Sequence, residues 1–173
     1  MNRKSAASLA AVASIVAILC GTAPAASAKP ESGGTFGPLE LPAGTACAGF
    51  DLRVEGVDSK RHVKEFTDAE GNPVRTISAG KGYTLTFTNL ATDQSLTFES
   101  NGSVERTTVG ADGTSTTAVT GHNVIILFPT DVPAGPSTTL YVGRTTYTVG
   151  VDGVWTIQST SGSSVDICAA LSE

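Results

Sequence analysis

The sequence predicts an all-β domain, an antiparallel meander of about ten strands closed into a barrel, with a two-sheet β-sandwich as the alternative. Three observations predict it. Apolar residues alternate with polar ones at a period of two, as in Phe50, Leu52 and Val54, and again in Tyr83, Leu85 and Phe87 with Thr84, Thr86 and Thr88 on the opposite face. Turn signals recur at short intervals: Glu70-Gly71-Asn72-Pro73, Asn101-Gly102, Asp112-Gly113, Asp152-Gly153 and Ser161-Gly162 all separate β-favouring runs, and such dipeptides supply the positive φ angles of tight hairpins. Between Cys47 and Asp166 no stretch has the length and spacing of an amphipathic helix, and only residues 167–171 suit a short terminal turn. A meander must dispose of its sheet edges, which a barrel does most completely and a sandwich in part.

Taken in order, the chain begins with Arg3 and Lys4, an apolar run from Ala6 to Leu19, and the small triplet Ala26-Ser27-Ala28. That layout is a secretory signal over residues 1–28, cleaved after Ala28, and the run is shorter than the ~20 residues a membrane-spanning helix needs. Secretion to the extracellular space is the expectation, with no membrane anchor. Leu19 ahead of Cys20 is too large for lipid attachment, and Leu41-Pro42-Ala43-Gly44-Thr45 has the wrong order for a sortase signal. Residues 29–46, rich in Gly, Pro and small polar residues, read as a flexible leader, and residues 47–173 as one domain.

Loss of the signal leaves two cysteines, Cys47 and Cys168. In an oxidising compartment, and without Cys/His metal spacing, they are expected to form one structural disulfide. Loss of Arg3 and Lys4 leaves nine basic residues against 16 acidic ones, a net charge of −7. Scattered negative charge disfavours phosphate backbones and argues against nucleic acid as a partner.

Chemistry-bearing patterns are sparse. There is no G-x-S-x-G elbow, no glycine-rich phosphate cradle ahead of a helix and no EF-hand loop, and His62 and His122 are the only histidines, so no metal site or cofactor is expected. Asp51 with Glu55, Asp68 with Glu70, and Glu99 with Glu105 are carboxylate pairs better explained as solvent-facing charge than as a glycosidase dyad. His62, among charged neighbours, reads as exposed. The run Val124, Ile125, Ile126, Leu127, Phe128 is apolar on both faces and is expected to be covered on both, inside a two-layer structure, beneath the leader or by a partner subunit, which makes it a candidate homo-oligomer interface. His122 starts that strand on the face of Val124, Ile126 and Phe128. With Asp131 and Arg144 from nearby segments it is the weak candidate for a catalytic or ligand-orienting group, against the simpler reading of a hydrogen-bonded strand-start histidine. The loop from 129 to 136 contains Pro129, Pro133 and Pro136 and is the longest irregular connection in the β region. Trp155, on the face of Ile157, and Tyr147, on the face of Val149, read as core or cavity wall.

From Gly121 to Pro136, on through Arg144, and again at Thr86 to Ala91 and Asp166 to Leu171, the chain resembles small secreted proteins of Streptomyces and related actinobacteria. The resemblance implies a bacterial extracellular protein and carries over no catalytic residue. The function expected is a non-catalytic binding or interaction domain, with a small apolar molecule inside the β structure or a protein as partner. A small barrel enzyme (isomerase, cyclase or hydrolase) using the His122 end and an extracellular assembly protein are the alternatives.

Overall fold

The computed structural model describes residues 31–100 and 102–173, so the expected signal peptide and Asn101 lie outside the described residues. It is mostly antiparallel β, with strands β1 (Glu31–Leu41), β2 (Leu52–Thr67), β3 (Pro73–Lys81), β4 (Thr84–Asn89), β5 (Ser95–Phe98), β6 (Ser103–Val109), β7 (Ser115–Leu127), β8 (Ser137–Val149) and β9 (Trp155–Asp166), then one turn of helix α1 (Ile167–Ala170). They form a single nine-stranded sheet in the order β5-β4-β2-β3-β6-β7-β8-β9, with β1 on the remaining edge of β2.

The register is simpler than the strand count. Lys60 stands opposite Lys81, and the same alignment continues where Val57 stands opposite Thr84, so β3 and β4 are two pieces of one long strand. In the same way Gly80 faces Ser103 and Leu85 faces Phe98, which makes β5 and β6 one interrupted strand. Each row therefore pairs with its neighbour in the chain, the hairpin meander that the turn signals predict.

The meander does not close. The ladders end at β1 and β9, which do not pair with one another, so the expected barrel is corrected to an open, folded sheet. The cause is a line of glycines. Gly121 sits opposite both Ser103 and Gly143, and Gly143 opposite Gly162, so these glycines cross neighbouring strands side by side. Gly80, Gly121 and Gly162 recur every 41 residues, as do Gly102 and Gly143, and all five have positive φ. A Cβ at Gly121 would collide with the carbonyl oxygen of Gly102, and one at Gly143 with that of Ser161. Only glycine permits strands to bend sharply in register at this line.

How far they bend follows from one bridge. Straight, the 13 residues of β8 would span roughly 40 Å. Leu127 lies opposite Ser137 at one end of β8, and Trp155 opposite Val149 at the other. Yet Val132, in the loop just beyond Leu127, bridges Thr156: its N–H donates to the Trp155 carbonyl at 2.8 Å, and its carbonyl accepts from the Ile157 N–H at 2.8 Å. Five residues reach at most about 17 Å, so β7, β8 and β9 double back at the glycine line. Folding the sheet over itself hides faces that barrel closure would otherwise hide. The outer edge left on β9 is polar (Gln158, Ser159, Thr160, Ser161, Ser163, Ser164), which makes it a poor template for a further strand.

On one side of the crease, β2 and β4 face β7 and β8 across the main core, in which Phe50, Leu52, Val54, Phe87, Leu140, Ile167 and Leu171 are buried and Val124, Ile126 and Val142 are packed against them. These are two arms of one sheet packed face to face, not the two separate sheets of the sandwich alternative. Cys47, in the β1–β2 connection, is bonded to Cys168 of α1 with Cα atoms 5.5 Å apart, as expected. Two buried polar contacts join the same layers: the Thr138 hydroxyl donates to the Ala46 carbonyl at 3.0 Å, and Asn89 Nδ2 donates to the Leu171 carbonyl at 2.9 Å.

Two local expectations change. The leader expected over residues 29–46 contains β1, paired from Glu31 opposite Arg61 to Leu41 opposite Leu52. Its Gly and Pro residues fall at register shifts along an edge strand, which tolerates them. Gly102 and Gly162 are not at hairpin turns. β9 keeps its pairing through Gly162, and Gly102 joins β5 and β6, the two pieces of one interrupted strand.

Candidate functional site

Two clefts adjoin along the edge of β7 that β6 leaves uncovered beyond Gly121, where β6–β7 pairing stops. Tyr83, Leu85 and Val124 line both of them.

The first cleft, about 250 Å³, opens between β1, β2 and β4 on one side and β7 on the other, and its remaining walls are Phe36, Leu39, Val54, Phe87 and Ile126. Every wall but Tyr83 is purely apolar. The reason lies in the alternation: Val54 and Phe87 face each other across β2–β4 and turn the same way, while Val124 and Ile126 turn toward them from β7. Phe36 and Leu39 stay 39% and 40% exposed at its side, and Phe36 rests against Tyr83 with ring centroids 6.0 Å apart.

The second cleft, about 210 Å³, lies inside the fold-over, and polar groups from strands far apart in sequence meet there. Arg61 reaches across from β2 to Glu105 on β6, Nη2 to Oε2 at 3.1 Å. Tyr147 and Trp155 stack with centroids 4.6 Å apart and planes 17° from parallel. His122 and Asn123 enter from the start of the uncovered edge. Val119 and Ile125 are buried here, outside the main core. Burial first, and the negative charge of Glu105 second, hold the Tyr147 phenol above its ordinary value, so it stays a neutral donor. Two donors in this region are buried without a partner, Asn123 Nδ2 and Arg61 Nε.

The residues singled out from sequence separate. His122 lines the second cleft, as its rim position suggested. Asp131 is 4% exposed and structural: its Oδ2 accepts from the Phe128 N–H at 2.6 Å and its Oδ1 from the Trp155 N–H at 2.9 Å, pinning the proline loop to the strand that carries the tryptophan. Arg144 is exposed, opposite the exposed Thr120, and lines neither cleft. The triad imagined around His122 is therefore not assembled. His62 is exposed, and the apolar run is covered from within the chain, Ile125 and Leu127 buried and Val124 and Ile126 against the core, with Phe128 37% exposed. Trp155 and Tyr147 form cavity wall. Arg61, Asn123 and Tyr83 had no motif to mark them. Their only sequence signal is position, since Arg61 stands opposite Gly80 and Asn123 two residues past Gly121 at the crease.

In comparisons with protein-family models, curated proteins and solved structures, nothing matches this chain. Among the described residues no group of three or more His, Cys, Asp or Glu is placed to hold a metal ion, and no helix is long and apolar enough to cross a membrane.

Proposed function

We propose that this protein is a secreted, non-catalytic binding domain that holds a small apolar molecule in the cleft between its two arms. The observation that carries this reading is the lining of the first cleft, seven apolar side chains and Tyr83 around about 250 Å³, with Phe36 and Leu39 left substantially exposed beside it. Exposed apolar surface bordering a preformed hollow is costly to maintain in water and is relieved by an apolar guest. The disulfide fits an oxidising, extracellular setting. The enzyme reading retains His122 alone of its three residues, and the assembly reading loses the run from Val124 to Leu127 to packing within the chain.

N-Phenyl-1-naphthylamine, dark in water and bright in apolar surroundings, tests the proposal. The purified protein is expected to bind it saturably at micromolar concentration. Val124→Trp, which fills the cleft, should abolish the signal, and Arg144→Ala on the outer surface should leave it unchanged. A folded protein that gives no saturable enhancement overturns the reading.

A further inference from the structure

We infer that the ligand is amphipathic, an apolar body carrying one uncharged hydrogen-bond acceptor of the carbonyl class, with the body in the apolar cleft and the acceptor in the polar cleft against Asn123 and Arg61. This rests on the proposed binding function and specifies the chemistry of its ligand.

Three observations converge. The two clefts share Tyr83, Leu85 and Val124, so a molecule lying in one extends into the other, and volumes of about 250 and 210 Å³ together suit a small molecule, for which pockets run ~300–1,000 Å³. Among the residues that line the two clefts, the buried side-chain polar atoms without a partner are of one kind. Asn123 Nδ2 and Arg61 Nε are both donors, and both are buried without a partner. Both residues line the polar cleft, so an acceptor toward which the Asn123 amide turns gains a hydrogen bond that these donors lack in the free protein and that a pure hydrocarbon does not offer. Charge decides which acceptor. The Arg61 guanidinium is already matched by Glu105 at 3.1 Å, so a carboxylate would enter a site whose one nearby cation is neutralised and would face Glu105 as a like charge. A ketone, ester or amide oxygen avoids that repulsion and still accepts. The stacked Tyr147 and Trp155 rings complete the wall, and they are flat and polarisable enough to lie against a planar carbonyl group.

Three probes of one shape distinguish the possibilities: 2-acetylnaphthalene with a carbonyl, 2-ethylnaphthalene without one, and 2-naphthoate with a charge. Binding is read from the chain's single tryptophan, Trp155 in the polar cleft, and from displacement of the naphthylamine dye. Acetylnaphthalene is expected to lose about ten-fold in affinity in Asn123→Leu and in Asn123→Asp, while ethylnaphthalene keeps its affinity in both, since one good hydrogen bond is worth roughly that factor. Naphthoate should bind the wild type more weakly than acetylnaphthalene. Asn123→Leu removes a buried unpaired donor and Asn123→Asp conserves shape, so at least one variant is expected to fold, checked by its melting temperature. If the carbonyl and hydrocarbon probes respond equally to both variants while the dye still binds, the acceptor inference fails and the apolar binding function stands. Tightest binding by naphthoate overturns the uncharged head. If no probe and no dye binds, both readings fall.

Discussion

The sheet on the two sides of the glycine crease is built from the same strands and stabilised in different ways. Toward α1 lie residues 52–57, 84–98, 122–127 and 137–142, and these, with the 42–51 connection, the helix and its C-cap Leu171, supply every member of the main apolar cluster. Beyond the crease lie residues 60–67, 73–79, 103–109, 115–120, 144–149 and 155–161, which contribute none. There the cross-strand contacts are of a different kind: Thr107 and Thr117 hydroxyls paired at 2.8 Å, the Arg61–Glu105 ion pair, Arg75 over the Phe66 ring at 3.9 Å, and Tyr147 on Trp155. One half is held by burial and a covalent clasp, the other by ladder pairing and polar contacts that leave room for a cleft. The apolar cleft thus opens into the half held by burial, its walls Val54 and Phe87 being members of the main core, while the polar cleft takes Arg61, Glu105, Tyr147 and Trp155 from the half held by polar contacts.

Several changes separate the halves. Reduction of Cys47–Cys168, or Cys168→Ser with Cys47→Ser, has the largest expected effect, because the bridge closes a 121-residue separation and such a constraint is worth about 4–5 kcal/mol. Calorimetry should show the melting temperature falling by on the order of 10 °C or more, and an unchanged value would mean the clasp does not stabilise the core half. Phe87→Ala, at a fully buried position, should cost about 3–5 kcal/mol in denaturant unfolding, whereas Val104→Ala, half exposed across the crease, should stay within about 0.5 kcal/mol. Equal costs would erase the distinction drawn between the halves. Gly121→Ala forces a side chain into positive φ against the Gly102 carbonyl, at a cost of about 2–3 kcal/mol, and should move Trp155 emission to the red as the fold-over loosens. Asp131→Ala strands the Phe128 and Trp155 N–H groups and is expected to cost about 2 kcal/mol, with the same spectral shift. The smallest effect concerns Tyr147. Its phenol is held above the ordinary tyrosine value in the fold, so its contribution to stability is whole below the unfolded value near pH 10 and is lost as pH rises through the folded one. Absorbance at 295 nm should show one tyrosine titrating late in the wild type and missing from Tyr147→Phe.

Three of the hairpin turns were legible because their chemistry is local. Residues 68–72, 110–114 and 150–154 each close with a backbone hydrogen bond and an Asp side chain accepting from the loop (Asp68, Asp112 and Asp152). Gly102 and Gly162 carried the same cue and are not turns, because positive φ serves a tight turn and a sharp strand bend equally well. What separates the two uses is alignment: the bend glycines recur every 41 residues and come to lie side by side once the hairpins pair. The barrel expectation failed for the same reason, since a sheet that can crease does not need its edges to meet. Among the site residues His122 was placed well by counting along one strand, but Asp131 and Arg144 were joined to it by proximity in sequence. Alternation puts Arg144 on the outer face, opposite Thr120, and the proline loop turns Asp131 inward to cap backbone.

The sequence by itself determined the β class, the meander, the pairing of Cys47 with Cys168 and the placement of Tyr147 and Trp155 in core or cavity wall. All four follow from side-chain period, turn chemistry or cysteine count, which are properties of short stretches of chain. Only the tertiary structure decided that β1 adds an ordered edge, that the sheet folds instead of closing, and that Arg61, Glu105, Asn123 and Trp155 share one cleft. Those residues sit on four different strands up to 94 positions apart, and what unites them is the accumulated register of successive hairpins and the angle of a glycine crease, which no local pattern encodes.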